Sequence, residues 1–235
     1  FRSSLVDWDD VRLLLEETQE SVLIRIGFIC PVFQAAAFHS YTTVALRSFF
    51  DTTPGGVAIV ADDGSKEWNK YQRLYEQIPR NEHQQIHFIH FNDQVGLTRS
   101  WNAGLALADD LKLDYAIAGN NDVIFTSRWH QGLLHALNNG YALAGPLSNA
   151  PGVTTKNGQQ EIQKYLPSFE LTDDCDKLDT MAAELYRDHL GKVIESPING
   201  FFQMASMNSW RKGMFSIKDY YRPRNTHNSK GQRNP

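Results

Sequence analysis

The sequence predicts an α/β protein with a mainly parallel central sheet and helices on both faces. Short apolar segments alternate with longer segments of helical spacing as far as residue 145, and this alternation is typical of βαβ units. The apolar segments are unbroken runs rather than alternating patterns. Such runs are expected for parallel strands that are buried on both sides.

The first elements are assigned from residue spacing and from the residues that end them. Residues 7–20 have helical spacing with acidic residues near the start, and the β-branched run at 22–30 ends before Pro31. The same criteria predict further helices at 40–50, 67–77 and 98–111, and further strands at 57–61, 86–91 and 114–118.

The regular alternation continues to Gly145-Pro146 and then breaks. A helix at 127–139 and a short strand at 141–144 complete the regular part. Residues 146–175 are rich in Asn, Pro, Gly, Thr and Gln, which indicates a long surface segment of the kind that forms mobile functional loops. After it come a predicted helix at 176–191, a strand at 198–205, a helix at 208–214, and a basic tail from residue 222.

Length and composition predict one large soluble domain. The chain has 235 residues and a net charge of −4, which gives no general reason to bind nucleic acid. Its longest apolar runs are far too short to cross a bilayer, so no transmembrane segment is expected. Cys30 ends an apolar run and is expected to be a buried free thiol. We expect a cytoplasmic location, either free or peripheral at the inner membrane surface.

The residues just past each of the first four predicted strands are the candidates for a site. They are Cys30-Pro31-Val32-Phe33, Asp62-Asp63-Gly64-Ser65, Asn92–Gly96 with Arg99 and Asn102 beyond it, and Asn120-Asn121-Asp122. Because ligands bind at the carboxyl ends of parallel strands, these groups are expected to form one site. Taken singly, each motif is typical of a turn or a helix cap. Together, the carboxylates would repel one another unless backbone N–H groups or a cation neutralise them.

Four of these segments, in order, resemble a known enzyme family. IRIGFICPVFQ, VAIVADDGS, GLTRSWNAGLALA and YAIAGNNDVIF, within residues 24–125, are similar to the nucleotide-binding half of family 2 glycosyltransferases of the GT-A fold. The segments AGPLSNAPG and INGFFQMASMNSW resemble the bacterial branch that builds surface polysaccharides. The resemblance implies one GT-A domain, with a nucleotide-binding half at 22–145 and an acceptor-side half at 146–235.

The resemblance also assigns a nucleotide site. Pro31 and Phe33 would shape the base pocket, and Asp63 or Asp62, in the turn with Gly64, would accept a hydrogen bond from the ring N–H of a uracil-like base. Ribose or phosphate would be contacted by Arg99 and Asn102.

A divalent metal is implied at the end of the fourth strand. Asp122 matches the last acid of the family's DxD-like motif, the usual ligand of Mg²⁺ or Mn²⁺, and the metal would neutralise the departing diphosphate. Asn120 and Asn121 replace acids of that motif. Their amides would orient a ribose hydroxyl or a metal-bound water.

The implied reaction is inverting transfer of a sugar from a nucleotide-diphosphate sugar to a hydroxyl acceptor in glycan or polysaccharide biosynthesis. A carboxylate should act as general base, but no Glu-Asp pair follows Phe202. Asp219 is the first candidate and Asp173 or Asp174 the next. Either one of these aspartates is the general base, or the chain ends before the base. A non-catalytic nucleotide-sugar or glycan-binding domain of the same fold is the alternative.

Other sites and enzyme classes are disfavoured by missing motifs. The segment after the first strand has neither the glycine-rich loop with Arg and Lys of nucleotidyltransferases nor the GxGxxG of dinucleotide oxidoreductases. His87 and His90 are three residues apart on a strand, so they should point to opposite faces and share no metal. His227 in the basic tail is a further, weaker candidate for the metal or the diphosphate.

Overall fold

The computed structural model describes residues 23–149, 162–196, 198 and 200–213. The helix predicted at 7–20, the basic tail and residues 150–161 of the surface segment lie outside the described residues. So do the candidate base Asp219 and the candidate ligand His227.

Five strands form one mixed sheet within the described residues. They are β1 (Ile26–Val32), β2 (Gly56–Asp62), β3 (Gln85–His90), β4 (Tyr115–Gly119) and β5 (Phe202–Ser206). The first four are parallel, β5 is antiparallel to β4, and the strand order is β3-β2-β1-β4-β5. The predicted α/β class with a mainly parallel sheet is therefore confirmed.

Helices connect and follow the strands. They are α1 (Ala35–Thr52), α2 (Trp68–Glu76), α3 (Leu97–Asp110), α4 (Trp129–Asn138), α5 (Ile162–Tyr165), α6 (Cys175–His189) and α7 (Met207–Gly213). The first begins at residue 35, earlier than the predicted residue 40, because three alanines follow Gln34 and alanine is the best helix former. None of the described helices is long and apolar enough to cross a membrane.

Apolar clusters bury the sheet on both faces. On one face, side chains of α1, α2 and α4 pack with Phe28 and Val60. On the other face, side chains of α3 and α7 pack with Ile29 and Ile59. Neighbouring strand residues fall into different clusters because side chains alternate along a strand. Helices on both faces of the sheet are therefore also confirmed.

The strands β1 and β4 separate near their carboxyl ends. Their pairing ends at Ile29 and Ala118, whereas β1 stays paired with β2 as far as Val32. Pro31 lies inside β1, not after it as predicted. The missing N–H of proline is tolerated because β1 has a bonded neighbour on only one side there. The gap is a switch point, since the chain leaves β1 toward β2 and returns to its other side as β4.

The strand predicted at 141–144 is wrong. Only Ala144 pairs, through one antiparallel bridge in which it exchanges two backbone hydrogen bonds with Met204. Gly145-Pro146 follows directly, and proline has no N–H with which to extend a ladder. Ala144 therefore contributes a single contact at the outer side of β5.

Candidate functional site

A cleft of about 530 Å³ opens at the carboxyl edge of the sheet, above the gap between β1 and β4. Six of the residues predicted for the site line it, and these are Pro31, Phe33, Asp63, Asn120, Asn121 and Asp122. The carboxyl ends of β1, β2 and β4 therefore lie together at the cleft, as expected. The loop after β3 closes the cleft with Gln94, Gly96 and the first turn of α3.

Asp63 is a buried carboxylate in the cleft wall. Its side chain is held by the loop after β3, because Oδ1 accepts from the backbone N–H groups of Val95 and Gly96, the latter at 2.9 Å. Oδ2 lies 3.0 Å from the Gly96 nitrogen. Only 5% of the residue is exposed. A carboxylate offers about four acceptor positions, so Oδ2 keeps capacity for a ligand N–H.

Asp62 lies beneath the cleft and does not line it. It is fully buried, and its Oδ2 accepts from the Ser65 backbone N–H at 3.0 Å and contacts His90 Nδ1 at 2.8 Å. The His90 ring is stacked on Trp68 with a centroid separation of 5.9 Å. Of the two acids proposed for base recognition, the geometry therefore favours Asp63.

Gly64 closes the turn after β2 and does not line the cleft. Its φ of 77° is in the left-handed region, which favours glycine. A Cβ there would lie 2.9 Å from the Asp93 carbonyl carbon and from the Gln94 nitrogen. The glycine thus allows the loop after β3 to approach, and the same loop supplies the amides that hold Asp63.

The turn after β4 is anchored from three sides. The Trp101 indole Nε1–H donates to the Gly119 carbonyl at 3.1 Å, and the Asn120 backbone N–H donates to the Phe201 carbonyl at 2.9 Å. The Asn121 side chain donates from Nδ2 to Thr42 Oγ1 at 3.0 Å. Contacts from two helices and from the loop before β5 together fix a polar turn of three residues.

Asp122 differs from the other two acids because it is exposed. Among the described residues, its carboxylate has no hydrogen bond or ion pair, and it lies in the cleft lining next to Asn121. A free carboxylate beside amide groups is a suitable ligand for Mg²⁺ or Mn²⁺, which prefer oxygen donors. The residues present therefore fit such a cation.

Arg99 and Asn102 follow the cleft on α3 but do not line it. Arg99 is half-buried. Asn102 faces a small recess between α3 and α7, where it lies with Asp109 and Trp210. The Asn102 Oδ1 atom is buried without a hydrogen-bond partner among the described residues. The structure does not bring Asn102 to the cleft.

An aromatic wall on α1 was not predicted from the sequence. Phe38 and Tyr41 line the cleft with their rings 6.4 Å apart, and both are exposed. Leu97, the first residue of α3, is exposed on the lining as well. The i, i+3 spacing of Phe38 and Tyr41 could have indicated one helix face. The predicted start at residue 40 separated the two.

Cys30 is a buried free thiol, as predicted. Burial raises the pKa of the Cys30 thiol far above its usual range, and the negative charge of Asp122 adds to the increase. The thiol therefore stays protonated and is a poor nucleophile and a poor metal ligand. Its role is to fill space under the cleft.

His87 and His90 make different contacts. His90 stacks on Trp68, whereas His87 contacts the Gln85 side chain two residues before it. Burial lowers the pKa of His87, and the charge of Arg25 lowers it further, so this imidazole is neutral at pH 7. No group of three His, Cys, Asp or Glu side chains suited to a metal occurs within the described ranges.

In comparisons with known proteins, the chain matches no family model and no curated sequence. The resemblance of its four segments to glycosyltransferases therefore stays a prediction.

Proposed function

We propose that this chain is a metal-dependent glycosyltransferase domain of the GT-A type, which transfers a sugar from a nucleotide-diphosphate sugar to a hydroxyl acceptor. The observation that carries the proposal is the exposed carboxylate of Asp122, which is unpaired among the described residues, in a cleft at the carboxyl edge of a parallel sheet. Ligands of such sheets bind in this position.

The charges of the cleft support a cation. None of the described residues that line it is Lys, Arg or His, and two are aspartates. A diphosphate would be repelled by such a wall unless a divalent cation lay between them. Bound Mg²⁺ or Mn²⁺ would also neutralise the charge that develops on the leaving diphosphate. Asp122 would hold this ion, with the remaining ligands supplied by water and diphosphate oxygens.

The aromatic lining of the cleft supports binding of a base. Phe33, Phe38 and Tyr41 give the cleft an exposed aromatic lining, which suits a planar ring. Asp63 is fixed by two backbone amides and keeps acceptor capacity for a ring N–H. A ring N–H with a carbonyl on each side, as in uracil, matches a carboxylate acceptor beside an aromatic wall.

Neither carboxylate of the described cleft lining is available as the general base. Asp63 is occupied by backbone amides, and Asp122 is assigned to the cation, so neither is suited to the acceptor proton. Asp174 caps α6 by accepting from the Asp176 and Lys177 backbone N–H groups. This use of its carboxylate disfavours Asp174, and Asp219 remains the candidate proposed from the sequence.

A nucleotide-sugar or glycan-binding domain without turnover is the second candidate function. It is favoured because Asp63 and Asp122 are the only acids in the described cleft lining, and neither carboxylate is left to act as a general base. A nucleotide-sugar-binding domain requires the same donor site as the enzyme and differs from it only in turnover, whereas a glycan-binding domain requires no donor site.

An assay of donor hydrolysis separates the two functions. The chain is incubated with Mn²⁺ and a panel of UDP-, GDP-, ADP- and CDP-sugars, and released nucleoside diphosphate is measured against a control with EDTA. We expect slow, Mn²⁺-dependent release from one class of donor, because water replaces the missing acceptor. Tight binding without release would favour the binding domain. Absence of metal-dependent binding across the panel would overturn the proposed donor site.

A further inference from the structure

A buried hydroxyl on α1 contacts the cleft turn from below. Thr42 is 0% exposed, and its Oγ1 lies 3.0 Å from Asn121 Nδ2, although the two residues are 79 positions apart in the sequence. Asn121 is half-buried and lines the cleft beside Asp122. Thr42 itself does not line the cleft. Its contact with the turn that carries Asp122 is made through the Asn121 side chain.

Proton counting gives the orientation of the Asn121 amide. A threonine hydroxyl has one proton, and two acceptors lie within its reach, the Phe38 carbonyl one turn earlier, at 3.4 Å, and the Tyr75 hydroxyl. With the proton given to either of them, the Thr42 oxygen accepts from the Asn121 NH₂, which lies 3.0 Å away. The nitrogen of the amide is turned inward, and its Oδ1 is left for the cleft.

We propose that Thr42 is a positioning residue that directs the Asn121 carboxamide oxygen toward the cation and diphosphate bound at Asp122. The inference rests on the proposed function and deepens it by giving the site a second, neutral oxygen donor. Amide carbonyl oxygens are good ligands for hard divalent cations and good acceptors for their bound waters. A freely rotating amide would present its NH₂ to the cation in part of its population, which is repulsive.

The residue type at 121 agrees with this role. A neutral amide adds an oxygen donor next to Asp122 without adding a second negative charge. An aspartate at the same position would offer Thr42 an acceptor instead of a donor. The Thr42 hydroxyl would then have to give up the Phe38 carbonyl or the Tyr75 hydroxyl to bond it.

The test compares three substitutions on one helix. Thr42→Val removes the acceptor at nearly constant volume, and Thr42→Ser keeps it. Thr43→Val is the matched control, because the Thr43 hydroxyl donates to the His39 carbonyl at 2.8 Å and does not contact the cleft turn. Binding of UDP, GDP, ADP and CDP is measured by calorimetry with and without MnCl₂, and folding is checked by thermal unfolding.

We expect Thr42→Val to weaken the Mn²⁺-dependent affinity roughly tenfold, as is usual when the partner that orients a metal ligand is removed. The affinity without Mn²⁺ should change little. Thr42→Ser should restore the Mn²⁺-dependent affinity, and Thr43→Val should leave it unchanged. Unchanged Mn²⁺-dependent affinity in a folded Thr42→Val protein would overturn the inference and leave the proposed function intact.

A second substitution keeps the test valid if Thr42→Val does not fold. Asn121→Ala removes the amide from a half-buried position and should weaken the Mn²⁺-dependent affinity at least as much. In the Asn121→Ala background, Thr42→Val should have no further effect, because Thr42 acts only through the amide. Full affinity in Asn121→Ala would overturn the inference. If the unmodified chain itself bound no nucleoside diphosphate with Mn²⁺, the proposed function would fail and the inference with it.

Discussion

At the scale of the residue, three aspartates at strand ends occupy three different environments. Asp62 is buried against His90, Asp63 is held by backbone amides in the cleft wall, and Asp122 is exposed and unpaired among the described residues. One carboxylate is therefore enclosed below the cleft, one is fixed in its wall, and one is exposed on its lining.

Alanine substitutions of Asp63 and Asp122 should separate stability from metal binding. Asp63→Ala leaves the Val95 and Gly96 amides without their acceptor, and we expect a loss of about 1–3 kcal/mol in the free energy of unfolding. Asp122→Ala should leave that free energy nearly unchanged and abolish Mn²⁺-dependent binding of nucleoside diphosphates. Urea unfolding and calorimetry measure the two quantities. Unchanged metal-assisted affinity in Asp122→Ala would show that the cation is held elsewhere.

Much of the site could be predicted from strand ends alone, and the exceptions have geometric reasons. The carboxyl ends of parallel strands meet at one edge, which correctly grouped Asp63 with Asn120 to Asp122. Asn102 is different because it lies on a helix. Two residues correspond to about 200° around a helix axis, so Asn102 faces away from the side on which Ser100 lines the cleft.

At the scale of the element, α3 lies directly on the sheet because it contains Gly104. A Cβ at this position would lie 2.3 Å from Ile29 Cγ2, and Ile29 is fully buried in β1. The glycine therefore sets the distance between helix and strand. That distance matters for the cleft, because the first turn of α3 lines it and Trp101 holds the turn after β4.

Two glycine-to-alanine substitutions should have opposite signs. Gly104→Ala forces a methyl group into Ile29, and overpacking of this kind costs about 1–3 kcal/mol of stability. Gly132→Ala on α4 meets nothing within 4 Å, so its better helix propensity should stabilise the protein by roughly 0.5–1 kcal/mol. Chemical denaturation measures both. Equal stabilisation by the two substitutions would contradict the close contact of α3 with β1.

Element boundaries were less predictable than element types. The start of α1 was missed because apolar periodicity gives no signal in a run of three alanines. The strand predicted at 141–144 failed because its apolar residues fit a strand locally, whereas the next two residues, Gly145-Pro146, prevent a ladder. In both cases the outcome depends on the neighbouring segment, not on the periodic pattern.

At the scale of the whole molecule, the order β3-β2-β1-β4-β5 creates the cleft. Alternation of strands and helices predicts a parallel sheet, but it does not give the strand order, and the switch between β1 and β4 cannot be read from it. The antiparallel direction of β5 could not be predicted from the sequence either. A strand at 198–205 far from its partner can enter a sheet in either direction, and only its packing decides.

The reactivity of the two cysteine thiols reports whether the core around Cys30 is closed to solvent. Cys175 is exposed, and Cys30 is buried with a raised pKa, so the native protein should expose one thiol to Ellman's reagent and the denatured protein two. Above about pH 8.5, the usual thiol pKa, the unfolded chain ionises Cys30 and the folded protein does not. Stability should therefore fall as the pH rises through this range. Cys175→Ser should remove the native reaction. Rapid labelling of Cys30 in that variant would contradict the closed core.

The hydrogen bond from the Asn120 backbone to the Phe201 carbonyl has a consequence for biosynthesis. The four parallel strands are encoded between residues 26 and 119, and all of them can leave the ribosome before Phe201 is translated. A nascent chain that ends before Phe201 contains Asp122 but lacks this hydrogen bond to the turn that carries it. The contact that fixes the Asn120 backbone is therefore completed only when a segment about 80 codons later has been synthesised.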